Sequence, residues 1–279
     1  QFKPRTPEAE RVFTPSFFKA REGAGSAARD PIFIVGLPRA VSTLVEQILA
    51  SHSQVEGTME LPDLNAIAMT LAAAEKSDVY IDRLVRLSRD ELSALGESYL
   101  QSTRIHRKLG RPRFIDKMPN NFALVGMIHL ILPNARIVDV RRHPLACGWS
   151  CYKQHFAMGQ LFTYDLGDIG RYYADYVALM SHFDEVLPGR VHRVIYEELV
   201  ADPEREIRRL LEHCELPFEE SALKPHETQR PVHTASAEQV RQPISASGLE
   251  SWKPFEPWLG PLKEALGPTL DAYPDPPAH

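Results

Sequence analysis

Six residues, Pro31-Ile-Phe-Ile-Val-Gly36, constrain this chain more than any others. They form a short apolar run of strand-forming side chains that stops at a glycine, and such a run reads as a buried strand. Directly after it, Ser42 to Ser51 (STLVEQILAS) has helical spacing, with Leu44, Ile48 and Leu49 on one face. Strand, tight loop and helix open a βαβ unit. A strand that is apolar throughout belongs to a parallel sheet covered on both faces.

The alternation recurs. Arg113 to Asp116 and Ala135 to Arg141 read as further strands, and Val191 to Tyr196 as another. Asn120 to Leu132 reads as an apolar helix stopped by Pro133, and Pro144 to His155 as the helix after the 135–141 strand. Asp202-Pro203 supplies an N-cap and a first-turn proline for a helix running to Cys214. Between the first two strands lies a helical insert, opened by the capping box Ser88-Arg-Asp-Glu91 and continuing over 92 to 109. The expected fold is therefore α/β: a central parallel sheet flanked by helices, a P-loop-like anion-binding loop, a helical insert and an irregular C-terminal segment from 217 to 279 with a short helix near 260 to 266. Residues 1–30 read as a loose polar lead-in with an apolar patch (Phe13, Phe17, Phe18), and 31–279 as a single domain. The first residue is Gln1 rather than Met, which leaves room for a longer N-terminal region upstream.

Composition narrows the function classes. The formal net charge of −5 argues against a dedicated nucleic-acid binder, so any cationic site must be local. The three cysteines, Cys147, Cys151 and Cys214, are too few for a disulfide framework and point to a reducing, cytoplasmic setting. No stretch approaches the roughly 18 apolar residues of a membrane span. No metal-ligand cluster stands out.

The loop Gly36-Leu-Pro-Arg-Ala-Val-Ser-Thr43 lies where an open α/β sheet binds phosphates, at the N-terminus of the following helix. Against the nucleotide-triphosphatase pattern G-x-x-x-x-G-K-[ST], Val41 replaces the second glycine and Ser42 the lysine. The group that would reach a triphosphate is missing, which disfavours ordinary ATP or GTP chemistry. A second anion site is suggested after the 135–141 strand, where Arg142 and Ser150 can join a bidentate cation to a hydroxyl donor. Two such sites imply a ligand with two separated anionic ends.

The ordered segments IFIVGLPRAVSTLVEQILASHSQVEG, FIDKMPNNF, ARIVDVRRHPLACGWSCY, VIYEELVADPE and TASAEQVRQPI with WKPFEPWLGPL resemble the sulfotransferase family over roughly residues 31 to 262. That family uses 3′-phosphoadenosine 5′-phosphosulfate (PAPS) as donor and releases adenosine 3′,5′-bisphosphate (PAP). The chain looks most like the bacterial branch often linked to tetratricopeptide repeats, and more distantly like tyrosylprotein sulfotransferases. The resemblance implies that Arg39, Ala40, Val41, Ser42 and Thr43 form the 5′-phosphosulfate loop and that Arg142 and Ser150 hold the 3′-phosphate. It further implies that Lys117 and Arg39 assist at the sulfuryl group, that Glu60 is the general base, and that Ser236 touches the donor. Tyr196 is placed near the nucleotide. No metal is required, and the acceptor would carry a hydroxyl on a carbohydrate, peptide tyrosine, lipid or small molecule.

The chemistry is consistent with these roles. In-line sulfuryl transfer needs positioning, cations at the departing phosphate and one carboxylate for the acceptor proton. Other readings of single residues are a dipole partner for Glu60, a surface lysine for Lys117, and a base at His52. His129 and the two thiols Cys147 and Cys151 read as core. Val41 stands where the family has glycine, so either the loop keeps an ordinary conformation or donor binding is weakened. A catalytically impaired nucleotide-binding relative and a small-molecule kinase are the alternative functions.

Overall fold

The computed structural model describes residues 6–76, 79–156, 159–228 and 239–277. Its strands are β1 (Pro31–Gly36), β2 (Val55–Gly57), β3 (Arg113–Lys117), β4 (Arg136–Arg141) and β5 (Val191–Ile195), all parallel in the order β2-β3-β1-β4-β5. Helices α1 (Thr6–Val12) and α2 (Pro15–Lys19) precede β1, and α3 (Ser42–Ala50) joins β1 to β2. The insert before β3 holds α4 (Asp63–Ala74), α5 (Ile81–Leu84) and α6 (Arg89–Thr103). Then α7 (Val125–Ile131) leads to β4, and α8 (Pro144–Tyr152) and α9 (Leu166–Val186) lead to β5. The chain ends with α10 (Tyr196–Ala201), α11 (Pro203–His213), α12 (Gly260–Leu266) and α13 (Pro268–Ala272).

β1 lies at the centre and is buried along its whole length. Its side chains alternate between two cores, as pleating requires. Ile32 and Ile34 pack with α3 and α11, through residues such as Ile48, Ile207 and Leu210, and with Val138 of β4. Phe33 and Val35 pack on the other face with the insert, α7, α8 and α9. The expected two-sided parallel sheet is therefore present. Because β3 and β4 flank β1 on opposite sides, the chain reverses its direction of winding there, and a crevice opens beyond the carboxyl ends of the strands.

Several local expectations need correction. The lead-in is not loose: Phe13, between α1 and α2, and Phe18 of α2 enter the main core, where Phe13 stacks on Phe18 and meets Phe183. Gly126 makes room, since a Cβ there would lie 2.6 Å from the Phe13 ring. The helix expected from Asn120 begins as a 3₁₀ turn over Pro119–Leu124 and becomes α-helical only at Val125. The 21-residue α9 and the three-residue β2 were not anticipated. The capping box at Ser88 and Glu91 forms with both hydrogen bonds, and Asp202 caps α11 through the Arg205 amide.

Candidate active site at the carboxyl edge of the sheet

Beyond Gly36 the chain turns sharply across the end of β4. Gly36 has φ 137°, and a Cβ there would collide with the Val140 carbonyl. Arg39 and Val41 follow at φ 65° and 76°, both in the left-handed region. The ordinary conformation is thus not the one Val41 adopts. The loop keeps the shape that a glycine would take and bears the steric cost of a β-branched residue. Val41 precedes α3 and gives its first turn no side-chain cap, and that turn, with Thr43 and Leu44, borders the crevice with the positive end of the helix dipole.

The second anion site is joined to the first. Arg39 Nε donates to Ser150 Oγ at 3.0 Å, while Arg142 Nη1 donates to the Arg39 carbonyl at 3.3 Å. Arg142 also donates to the Gly248 carbonyl at 2.5 Å and lies 5.6 Å from the centre of the Tyr196 ring. Burial and then the adjacent Arg142 pull the Arg39 guanidinium below the usual arginine range, which an arriving anion would relieve. Sequence reasoning assigned Arg39 to the first loop alone; here it leans across to the second.

Around these groups lies a cleft of about 790 Å³, lined by Arg39, Val41, Thr43, Arg142, Ser150 and Tyr196 together with Lys153 and residues of the 240–251 segment. Tyr196, expected near the ligand, does line it, and its hydroxyl donates to the Ser245 carbonyl at 3.0 Å. Gln242, Ser245, Gly248 and Ser251 are wall residues that the sequence reading missed. They lie in or beside short 3₁₀ turns without helical or strand period, so no pattern announced them. Lys153 follows α8 three residues after Ser150, a spacing that could have suggested it. Three cations and no acidic side chain line this cleft among the described residues.

Glu60 and Lys117 meet on the other side of β1. Lys117 ends β3 with its side chain 2% exposed, and its Nζ lies 2.5 Å from Glu60 Oε1, whose side chain is 46% exposed. The loop bearing Glu60 is tied to β3 by Thr58, which donates to the Ile115 carbonyl at 2.5 Å. Neither Glu60 nor Lys117 lines the cleft itself. They flank the β1 loop from the β3 side, whereas Arg142 and Ser150 flank it from the β4 side. Ser42 and Thr43 are buried at the start of α3, and Ala40 is buried in the loop. Ser236 lies outside the described residues.

His52 sits past the far end of α3, away from the crevice. Its Nδ1 accepts from the Gln54 amide and its Nε2 donates to the Pro217 carbonyl at 2.9 Å, so the fully buried ring has a structural role and not the base role considered for it. Burial and then Arg190 push His129 down to about 4, in keeping with its reading as a core residue. Among the described residues, no group of three His, Cys, Asp or Glu side chains could hold a metal ion. No helix among them is long and apolar enough to cross a membrane.

A parallel α/β sheet with a cleft lined by cations at its winding reversal has its candidate site where open α/β folds bind ligands. Residues 31–220 match the Sulfotransferase family, and the chain belongs to it. It is 37% identical over 277 residues to an uncharacterized protein of Aquifex aeolicus, covering 95% of this chain but 36% of that relative, so it spans about a third of that protein's length. A putative protein-tyrosine sulfotransferase of Caenorhabditis briggsae is 26% identical over 79% of this chain and 80% of its own. Among solved structures, the sulfotransferase domain of the Synechococcus PCC 7002 olefin synthase has TM-score 0.58 at 19% identity, over 83% of this chain and 89% of that one. A mouse sulfotransferase complexed with PAP has TM-score 0.52 at 12% identity, over 88% and 85% respectively. These likenesses carry the fold.

Proposed function

We propose that this chain transfers a sulfuryl group from PAPS to a hydroxyl-bearing acceptor and releases PAP. The observation that carries the reading is the charge of the cleft. Its lining holds Arg39, Arg142 and Lys153 and no carboxylate among the described residues, in a chain whose formal net charge is −5. A ligand anionic at both ends matches two linked cationic sites, one at the α3 N-terminus and one at Arg142 and Ser150. The mouse relative's complex with PAP favours the same ligand.

In this reading Arg142 and Ser150 hold the 3′-phosphate, and the loop from Arg39 to Thr43 holds the phosphosulfate end. Arg39 and Lys117 neutralise charge on the departing phosphate, where preorganised cations lower the barrier. Glu60, which meets Lys117 Nζ through Oε1, takes the proton of the acceptor hydroxyl. Tyr196 packs beside the nucleotide, and Ser236 completes the donor site from the C-terminal segment.

Calorimetry with PAP, with Mg-ATP and in excess EDTA tests the ligand. Tight PAP binding that EDTA leaves intact supports the proposal, whereas binding of Mg-ATP alone overturns it in favour of a kinase. Arg142→Ala should weaken PAP about ten- to hundredfold while hardly changing adenosine 5′-monophosphate, because only PAP presents the phosphate that Arg142 would hold. With an acceptor found by a labelled-donor screen, Glu60→Gln should lower kcat by about 10²–10⁴ and leave donor affinity nearly unchanged. Near-normal kcat in that variant would remove Glu60 as the base. Labelled donor that binds but is never turned over would mark a nucleotide-binding relative instead.

A further inference from the structure

Two buried thiols lie under the phosphate loop without an assigned role. Cys147 and Cys151, one turn apart on α8, are both fully buried, and both donate to the carbonyl of Pro38, at 3.4 and 3.1 Å. Pro38 directly precedes the left-handed Arg39, and Val41 follows two residues later. Ser150, on the same side of α8, accepts from Arg39 Nε. One helix face thus holds two consecutive loop residues, through the carbonyl of the first and the side chain of the second. Left-handed conformations at non-glycine residues are strained and persist only where the surroundings enforce them.

We propose that Cys147 and Cys151 are positioning residues of the donor site, holding the Pro38 carbonyl so that the strained loop keeps its anion-binding shape and stays in register with Arg142 and Ser150. The geometry gives the thiols this task because a buried carbonyl needs donors, and two converge on this one from the helix side that also carries Ser150 of the second anion site. A hydrogen bond with Cys147 and then burial push the Cys151 thiol well above the ordinary range, so it stays protonated and can donate. The inference rests on the proposed function for its ligand, but the loop clamp itself is defined without ligand.

The test compares the double variants Cys147→Ala/Cys151→Ala and Cys147→Ser/Cys151→Ser with the wild type, each first shown to be folded at the assay temperature. Calorimetry uses PAP, which spans both sites, and adenosine 3′-phosphate, which lacks the 5′-phosphate. The alanine variant should lose about tenfold in PAP affinity and less than about twofold for adenosine 3′-phosphate, and the serine variant should recover most of the loss by restoring donors. Amide hydrogen exchange over residues 39–44 of the ligand-free proteins should quicken in the alanine variant and return toward wild type in the serine variant. Unchanged PAP affinity with unchanged exchange overturns the clamp, as does an equal loss for both ligands, which marks general loosening. If the wild type binds no PAP, the proposed function fails, and the exchange measurement alone still decides the clamp.

Discussion

At Val41 the backbone holds φ 76° although the side chain is β-branched, a combination that only strong surroundings sustain. Val41→Gly removes the clashing Cβ at the cost of some unfolded-chain entropy, so we expect thermal stability to be kept or raised and PAP affinity to be kept or improved. A clear loss of affinity would mean that the valine side chain itself shapes the loop. Gly36 is the opposite case: Gly36→Ala drives a methyl into the Val140 carbonyl of a buried strand and should cost about 1–3 kcal/mol, read by urea unfolding. The residue types of this loop were legible from the sequence, because a strand, a glycine and a hydroxyl pair before a helix have one common use. Its conformation was not, since a valine argues against positive φ and only the contacts from α8 show why it is tolerated. Nor could spacing show Arg39 leaning onto Ser150, a contact between side chains 111 positions apart.

The starts of α6 and α11 were legible from their caps, whereas α2 and the long α9 were missed although Thr14 and Asp165 cap them. The capping box starting α6 is written in four consecutive residues and forms as expected. In α9 the apolar set Ile169, Tyr173, Tyr176, Val177, Met180 and Phe183 does have helical spacing, but Gly167 and Gly170 in its opening turns disguise the start. The reason for Gly170 is tertiary. A Cβ there would lie 2.7 Å from the Ala265 Cβ and 3.0 Å from the Leu262 carbonyl, so the glycine lets α12 cross close over α9. Gly170→Ala improves helix propensity by up to about 1 kcal/mol, yet overpacking this crossing should outweigh it. We expect a net loss of about 1–2 kcal/mol in urea unfolding. A gain in stability would show that the two helices separate without penalty. The wall from 240 to 251 was illegible for a related reason: its short turns are placed by partners such as Arg142 and Tyr196, not by any period of their own.

Across the whole molecule, buried titrating groups act against one another. Burial, with neighbouring Asp63 adding to it, pushes Asp116 up to about 7 despite the hydrogen bond it accepts from Tyr99 at 2.8 Å. Its folded value exceeds the ordinary 3.8, so its contribution is fully present below about pH 3.8 and is lost as pH rises toward 7. Burial pushes His129 and His213 down to about 4, below the ordinary 6.5, so their contribution is present above pH 6.5 and is lost as pH falls toward 4. His143 and His192 are shifted the same way, again chiefly by burial. In the window between, acidification therefore favours folding through Asp116 and opposes it through the histidines, which flattens the profile of the wild type. Asp116→Asn removes one side of this balance while its amide oxygen can still accept from Tyr99. We expect the variant to exceed the wild type in urea midpoint at pH 8 and to lose that advantage steadily toward pH 5. His213→Gln keeps a donor for the Ile137 carbonyl, which the ring nitrogen now meets at 3.1 Å, and removes a titrating group. It should therefore lose less stability than the wild type as pH falls from 6.5 to 4.5. Midpoints measured across that range decide the matter: parallel curves for all three proteins would mean that none of these groups is held away from its ordinary proton affinity.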